Sequence, residues 1–376
     1  MSKHIYVHIP FCEAKCPYCS FYSVAGGDSI HKEYFDALIY EIENTALDAI
    51  PDGEGPDTVY FGGGTPSVPE SRFITDALAA ILRKFSVDPN DAEITIEANP
   101  HSLTKENAEA YVAAGFNRIS LGIQSLHDDT LKTLGRLHDR EKALDALRSA
   151  REAGFKNISG DLIIGVPGQS YEDVISDADV LIRSGVSHIS SYSLSIEEGT
   201  VFEKRYGDSL DDPDIQDEER RMYHGLRSFL KENGFEPYEI SNSALKGYRS
   251  RHNDSYWRAV EYYGLGAGAH GYVAGVRYGH PDDVSEYIRD PLDKIVEEEL
   301  SEDDKMIEYS MLMLRTSDGI TDIGFGNRFG KSIPSDIKNK MEDLVQKGLA
   351  ERIDGGIRLS SHGLDLANVA FREMLR

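Results

Sequence analysis

Gly115-Phe116-Asn117-Arg118-Ile119-Ser120, Gly154-Phe155-Lys156-Asn157-Ile158-Ser159 and Gly185-Val186-Ser187-His188-Ile189-Ser190 are three copies of one local pattern. Gly234-Phe235-Glu236-Pro237-Tyr238-Glu239-Ile240-Ser241 is a weaker fourth copy. Each follows an amphipathic stretch of helical period, and its Gly is placed to cap that helix in the left-handed conformation that costs Gly least. Thr104, Asp139 and Ser170 stand where the N-caps of the first three helices belong. Each copy then runs into a short β-branched segment. The unit is helix, Gly turn, strand, and its alternation predicts an α/β protein built on a parallel sheet.

The same reading extends upstream. Ile5–Ile9, Thr58–Phe61 and Glu93–Glu97 read as strands, the second ending in Gly62-Gly63-Gly64. Between them Phe73, Ile74, Leu78, Ile81, Leu82 and Phe85 share one helix face. Six or seven such units before residue 245 predict a full or partial (β/α)6-type barrel over residues 1–245. A doubly wound open sheet is the competing arrangement, which periodicity does not separate from it. The polar residues gather just past the strands: the cysteine loop, Gly62–Thr65, Glu97 and Asn99, Gln124, and Asp161 within the fifth. In β/α barrels, sites form at the carboxyl ends of strands, so these residues are expected to share one pocket.

Residues 246–300 are rich in Gly, Tyr and His and then, from Pro281 to Lys305, strongly acidic, which reads as a linker with some helix. Residues 301–376 carry two or three helices. Leu349–Ile353, a turn at Asp354-Gly355-Gly356, and Ile357–Ser360 follow. This is the outline of a smaller α+β winged-helix-like domain.

The formal net charge is −25. A surface of that sign repels phosphate backbones and anionic lipid heads, so nucleic acid is not an expected partner. No apolar run approaches the ~18 residues of a membrane span, and the first residues lack a secretory apolar core, which makes the cytoplasm the expected address. The three cysteines all fall within Phe11-Cys12-Glu13-Ala14-Lys15-Cys16-Pro17-Tyr18-Cys19. An odd, clustered set is a poor disulfide framework and points to metal chemistry. Three thiolates on a [4Fe–4S] cube, which normally takes four, leave one iron open to an outside ligand. A zinc site completed by His8 is the alternative.

Cys12-x3-Cys16-x2-Cys19 after a first strand resembles the radical S-adenosylmethionine superfamily. Tyr6–Cys12, Gly62-Gly-Gly-Thr-Pro-Ser67, Ile96-Glu-Ala-Asn-Pro100, Gly122-Ile-Gln-Ser125 and Asp161–Gln169 narrow the resemblance. It is to the family that holds the oxygen-independent coproporphyrinogen III oxidase HemN and the haem chaperone HemW, over nearly the whole chain. The resemblance implies that Cys12, Cys16 and Cys19 hold a [4Fe–4S] cluster. It implies S-adenosylmethionine contacts from Tyr6, Gly63, Gly64, Thr65, Glu97, Gln124, Arg136 and Asp161. Glu97 would accept from ribose hydroxyls, and Arg136 would pair with the methionine carboxylate.

Three features set the chain apart from the oxidase pattern. Phe21 stands where the oxidase carries a fourth cysteine. Cys12 lies too near the start to leave room for the oxidase's amino-terminal arm. Arg251-His252-Asn253-Asp254-Ser255-Tyr256-Trp257 matches the HN-x-x-YW signature of the chaperone. The resemblance therefore implies binding of haem and its delivery to acceptor haem proteins of respiratory chains. Oxidative decarboxylation of coproporphyrinogen III is the alternative. His252, Asn253, Tyr256 and Trp257 are the implied haem-binding residues, His252 as axial ligand and the two aromatics as a face for the porphyrin; His270 is a second candidate ligand. Membrane association is expected only through a partner, and a homodimer is one open oligomeric arrangement.

Overall fold

A computed structural model describes residues 4–25, 27–47, 55–207 and 212–375. β1 (His4–Ile9), α1 (Asp28–Asn44), β2 (Thr58–Gly63), α2 (Ser71–Lys84), β3 (Glu93–Ala98) and α3 (Lys105–Ala114) alternate as the sequence pattern predicts. They continue into β4 (Arg118–Gln124), α4 (Asp128–Thr133), α5 (Arg140–Ala153), β5 (Asn157–Ile164), α6 (Tyr171–Arg183) and β6 (His188–Ser193). The repeats supply the punctuation. Thr104 and Asp139 accept from the amides of Asn107 and Lys142, and Ser170 forms a reciprocal capping box with Asp173. Gly115 and Gly154 end α3 and α5 with φ of 113° and 111°.

β1 to β6 pair in parallel, each with the next in chain order. A doubly wound sheet would reverse its order partway, so this sequential order decides for the barrel. The arc does not close: β1 pairs on its far side with β9 (Tyr262–Leu265), not with β6, and the barrel is partial.

The strand period of two separates the faces. Val59, Phe61, Ile94, Ile96, Ile119, Leu121 and Ile123 point outward to the helices and are fully buried. Truncating one of them to Ala costs about 2–5 kcal/mol. The alternating residues, among them Tyr60, Thr95, Glu97, Arg118, Ser120, Ser159, Asp161 and Ser190, face inward and give the arc a polar interior.

α7 (Val201–Tyr206), α8 (Pro213–Glu232), β7 (Glu236–Pro237) and β8 (Asn242–Ala244) finish the β6 edge, and β8 runs antiparallel to β6. The segment after residue 245 then differs from the linker read in the sequence. α9 (Arg251–Trp257), β9, β10 (His270–Val273), β11 (Val276–Gly279), α10 (Val284–Arg289) and β12 (Ile295–Glu299) extend the barrel sheet beyond β1. β12 escaped the sequence reading because all five of its residues are exposed, so it shows no apolar alternation.

The rest of the chain packs around its own core. It comprises α11 (Glu302–Met313), β13 (Ile320–Thr321), α12 (Asp322–Phe329), α13 (Ser335–Gln346), β14 (Ala350–Ile353), β15 (Gly356–Leu359), α14 (Ser361–Asp365) and α15 (Ala367–Leu375). The three strands form a small antiparallel sheet in the order β13-β15-β14, with β14 and β15 as the wing. Among the described residues no helix is long and apolar enough to cross a membrane.

Candidate functional site

The loop after β1 leaves the sheet at Pro10 and returns at Val24, where the Cys12 amide donates to the Val24 carbonyl and the Val24 amide to the Pro10 carbonyl. This closes the loop at its neck and holds Cys12, Cys16 and Cys19 over the carboxyl ends of the strands. All three are free thiols. They line a cavity of about 540 Å³ together with Gly63, Gly64, Thr65, Glu97, Gln124, Arg136 and Asp161. The structure thus brings together ten of the eleven residues expected at the cluster and cofactor.

Tyr6 is the exception. It does not line the cavity; its ring lies alongside Tyr60 and His252, with centroids 6.3 and 6.5 Å away, and its hydroxyl lies 3.1 Å from His8 Nδ1. The other ring nitrogen of His8 donates to the Tyr22 carbonyl at 3.1 Å. With both nitrogens engaged, His8 is not the fourth ligand that a zinc site would need.

The glycines are needed for a close approach. The Gly64 amide donates to the Ile9 carbonyl and the Thr65 amide to the Phe11 carbonyl, so the strand end zips onto the cysteine loop. A Cβ at Gly64 would stand 2.8 Å from both of those carbonyl oxygens, and one at Gly63 (φ 106°) 2.6 Å from the His8 ring. Thr65 Oγ1 reaches Cys12 Sγ at 3.4 Å. Gln124 adopts φ 65°, rare for a residue with a side chain, where the β4–β5 register slips.

Burial shifts both carboxylates upward. Burial lifts the Glu97 carboxyl to about 7, opposed by the Tyr60 hydroxyl and the Gly63 amide and reinforced by Asp161. The Tyr60 hydroxyl donates to Glu97 Oε1 at 2.6 Å. Burial also raises Asp161, against hydrogen bonds from Ser190, Ser159 and Ser120 and the charge of Arg118.

Arg118, Ser120, Ser190 and Tyr192 line the same cavity and were not singled out in the sequence. Arg118 is almost fully buried, with Nε and Nη1 lacking hydrogen-bond partners. The signal that finds these residues is the even spacing from Gln124 back along β4 and from Asp161 across to β6.

The HN-x-x-YW segment is α9, and it carries His252, the expected axial haem ligand, into the interior. His252 is 1% exposed. Its Nδ1 lies 2.7 Å from Thr58 Oγ1 and its Nε2 3.1 Å from the Tyr256 hydroxyl, so neither nitrogen is free for iron. Its ring stacks on Tyr60 at 4.9 Å. The Glu93 carboxylate accepts from the Arg251 and His252 amides, an anion seated on the helix start. Asn253 does reach the cavity wall. Trp257 points the other way, under the Arg315 guanidinium at 4.5 Å, and Tyr256 meets Tyr262 edge to face. No joint face for a porphyrin is formed by Tyr256 and Trp257. His270 has an exposed side chain, 60% accessible, with Nδ1 2.9 Å from Glu297 Oε1.

Residues 6–181, from β1 into α6, match the model of the Radical SAM superfamily, and residues 300–366 match that of the HemN C-terminal domain. The fold agrees with that of coproporphyrinogen III oxidase (HemN) from Escherichia coli, with a TM-score of 0.81 at 21% identity over 98% of this chain and 89% of that one. The class is that of the radical S-adenosylmethionine proteins, for which a [4Fe–4S] cluster and S-adenosylmethionine are implied.

Among relatives, the heme chaperone HemW of Lactococcus lactis is 34% identical over 98% of this chain and 96% of its own. That of Bacillus subtilis is 34% identical over 99% of both. The chain belongs to the HemW family.

The residues present fit the implied group. Three free thiols share one loop, and Arg136 Nη1 donates to the Cys16 sulfur at 3.3 Å. Phe21, 67% exposed, also lines the cavity and adds no fourth sulfur.

Proposed function

We propose that this protein binds haem and passes it to acceptor haem proteins, with a [4Fe–4S] cluster held by Cys12, Cys16 and Cys19 and S-adenosylmethionine seated in the barrel cavity. The observation that carries the haem reading is the match, end to end on both chains, to relatives named heme chaperone HemW. When bound, the cluster and cofactor supply one-electron chemistry at a sulfonium. The chain's own residues bind and orient. Arg136 takes the methionine carboxylate, Glu97 and Asp161 accept from nucleoside donors, and Gly63, Gly64 and Thr65 offer close backbone. Gln124 braces the mouth, and Tyr6 acts from behind Tyr60 rather than by contact.

For haem, His252 serves within the fold rather than as an exposed ligand, holding α9 and Asn253 against the cavity. His270 is the accessible imidazole. Its Nδ1 is engaged by the Glu297 carboxylate, which orients the ring as a carboxylate partner does behind many metal-binding histidines.

Anaerobic reconstitution with iron and sulfide, followed by haem titration, tests this reading. One haem taken up per chain, with no decarboxylated product from coproporphyrinogen, reductant and S-adenosylmethionine, is the expected result. Decarboxylated product would assign the oxidase reaction instead.

A further inference from the structure

The terminal serines of the three repeats meet at one carboxylate. Ser120 Oγ lies 3.1 and 3.0 Å from the two oxygens of Asp161, and Ser159 Oγ lies 2.9 Å from Oδ1. Ser190 stands beside them, its Oγ 3.4 Å from that of Ser159, and its hydroxyl favours the Asp161 anion. Strand register brings them there. Ser120 pairs with Ser159 across β4 and β5, and Asp161 pairs with Ser190 across β5 and β6. Because strand side chains alternate, residues at one repeat position on adjacent strands point into the barrel together.

The chain of donors continues away from the cavity. Ser159 Oγ is 2.8 Å from His188 Nδ1, and His188 Nε2 is 2.8 Å from the Tyr238 hydroxyl. The Ser250 amide donates to that hydroxyl at 3.2 Å. A serine hydroxyl has one proton, so if Ser159 gives it to Asp161 it must accept from His188 Nδ1–H, and Nε2 must accept from Tyr238. Every proton in the series then points toward Asp161. His188 is fully buried, and burial followed by the Arg118 charge keeps its imidazole neutral.

We propose that Ser120, Ser159 and Ser190, backed by His188 and Tyr238, are positioning residues that fix the Asp161 carboxylate with one acceptor site turned to a single N–H or O–H donor of the bound nucleoside. This rests on the reading of Asp161 as a cofactor contact. A carboxylate has about four lone-pair sites, and the serines occupy most of them. The other ionisable groups around Asp161 are Arg118 on β4, Glu97 on β3, Tyr60 on β2, and Tyr192 and His188 on β6. Of these, Glu97 titrates near neutrality.

The test is equilibrium dialysis of S-adenosylmethionine against the anaerobically reconstituted protein from about pH 5 to pH 9, with each variant expressed as a ratio to wild type so that the Glu97 titration cancels. Ser159→Ala and Ser190→Ala are expected to bind about ten-fold more weakly at the acid end and to recover toward wild type at the alkaline end. Ser190→Thr, which keeps the hydroxyl, should bind normally. Asp161→Asn should lose binding at all pH values, and Asp161→Asn with Ser159→Ala should lose no more. A serine loss that is equal at every pH, or that adds to the Asp161→Asn loss, overturns the positioning role alone. Normal binding by Asp161→Asn overturns the cofactor contact and the proposal with it.

Discussion

Nη1 of Arg136 lies 3.3 Å from the sulfur of Cys16, 120 residues earlier in the chain. Nη2 of the same guanidinium donates to the Gly122 carbonyl on β4 at 3.0 Å. One side chain therefore ties the cysteine loop to the mouth of the barrel and stands a cation where the cluster and the cofactor carboxylate would meet. Replacing Arg136 with Met should leave iron and sulfide content within about two-fold, since the thiols remain. Affinity for S-adenosylmethionine should fall about 10- to 100-fold, the range for losing a hydrogen bond to a charged group. Iron analysis and equilibrium dialysis on the same sample check both halves.

Cys12, Cys16 and Cys19 are only partly buried and belong to none of the hydrophobic cores. Each Cys→Ala change should abolish the visible absorption of the reconstituted cluster. Unfolding of the unreconstituted chain should shift by less than about 1 kcal/mol, as for substitutions away from packed sites. A variant that retains the full cluster spectrum would remove that cysteine from the ligand set.

Glu97 gives a pH signature. Its carboxyl ionises near 4.5 in the unfolded chain and at about 7 in the folded one. Between those values the unfolded chain has released the proton that the folded chain keeps, so stability falls as pH rises from 4.5 to 7 and stays lower above. Glu97→Gln removes this term. The variant should match wild type at the acid end and exceed it by about 1–3 kcal/mol above pH 7, read from urea unfolding at several pH values.

His252 and His270 separate core from ligand. His252→Ala removes one of the two imidazole partners of Thr58 and the imidazole that meets the Tyr256 hydroxyl, and opens a hole beside Tyr60, at a cost of about 2–4 kcal/mol. Haem spectra of the folded fraction should be little changed. His270→Ala should leave the unfolding midpoint nearly in place and alter the haem absorption bands. Optical titration with haem and thermal unfolding of both variants decide between them, and the reverse pattern would return the ligand role to His252.

Much of the barrel was legible because its signals are local. A Gly that must turn left-handed, a serine or threonine that caps, and apolar residues spaced at two or at 3.6 need no knowledge of distant chain. The cysteine loop was legible for the same reason, as its three thiols lie within eight residues. The strands β9 to β12 were not. β9 pairs far upstream, Tyr262 against His4, the short β10 and β11 build on it, and the acidic β12 carries no buried face to announce it.

The sequence by itself determined the alternation of strand and helix before residue 245, the caps of the repeat helices, and a thiol triad suited to an iron–sulfur cluster. These follow from near-neighbour sterics and from chemistry packed into one short loop. Tertiary structure alone decided that His252 turns inward with both nitrogens bonded, that Tyr6 stacks behind Tyr60, and that three repeat serines converge on Asp161. Those outcomes depend on the register between strands, which is set by pairing and packing across the whole sheet.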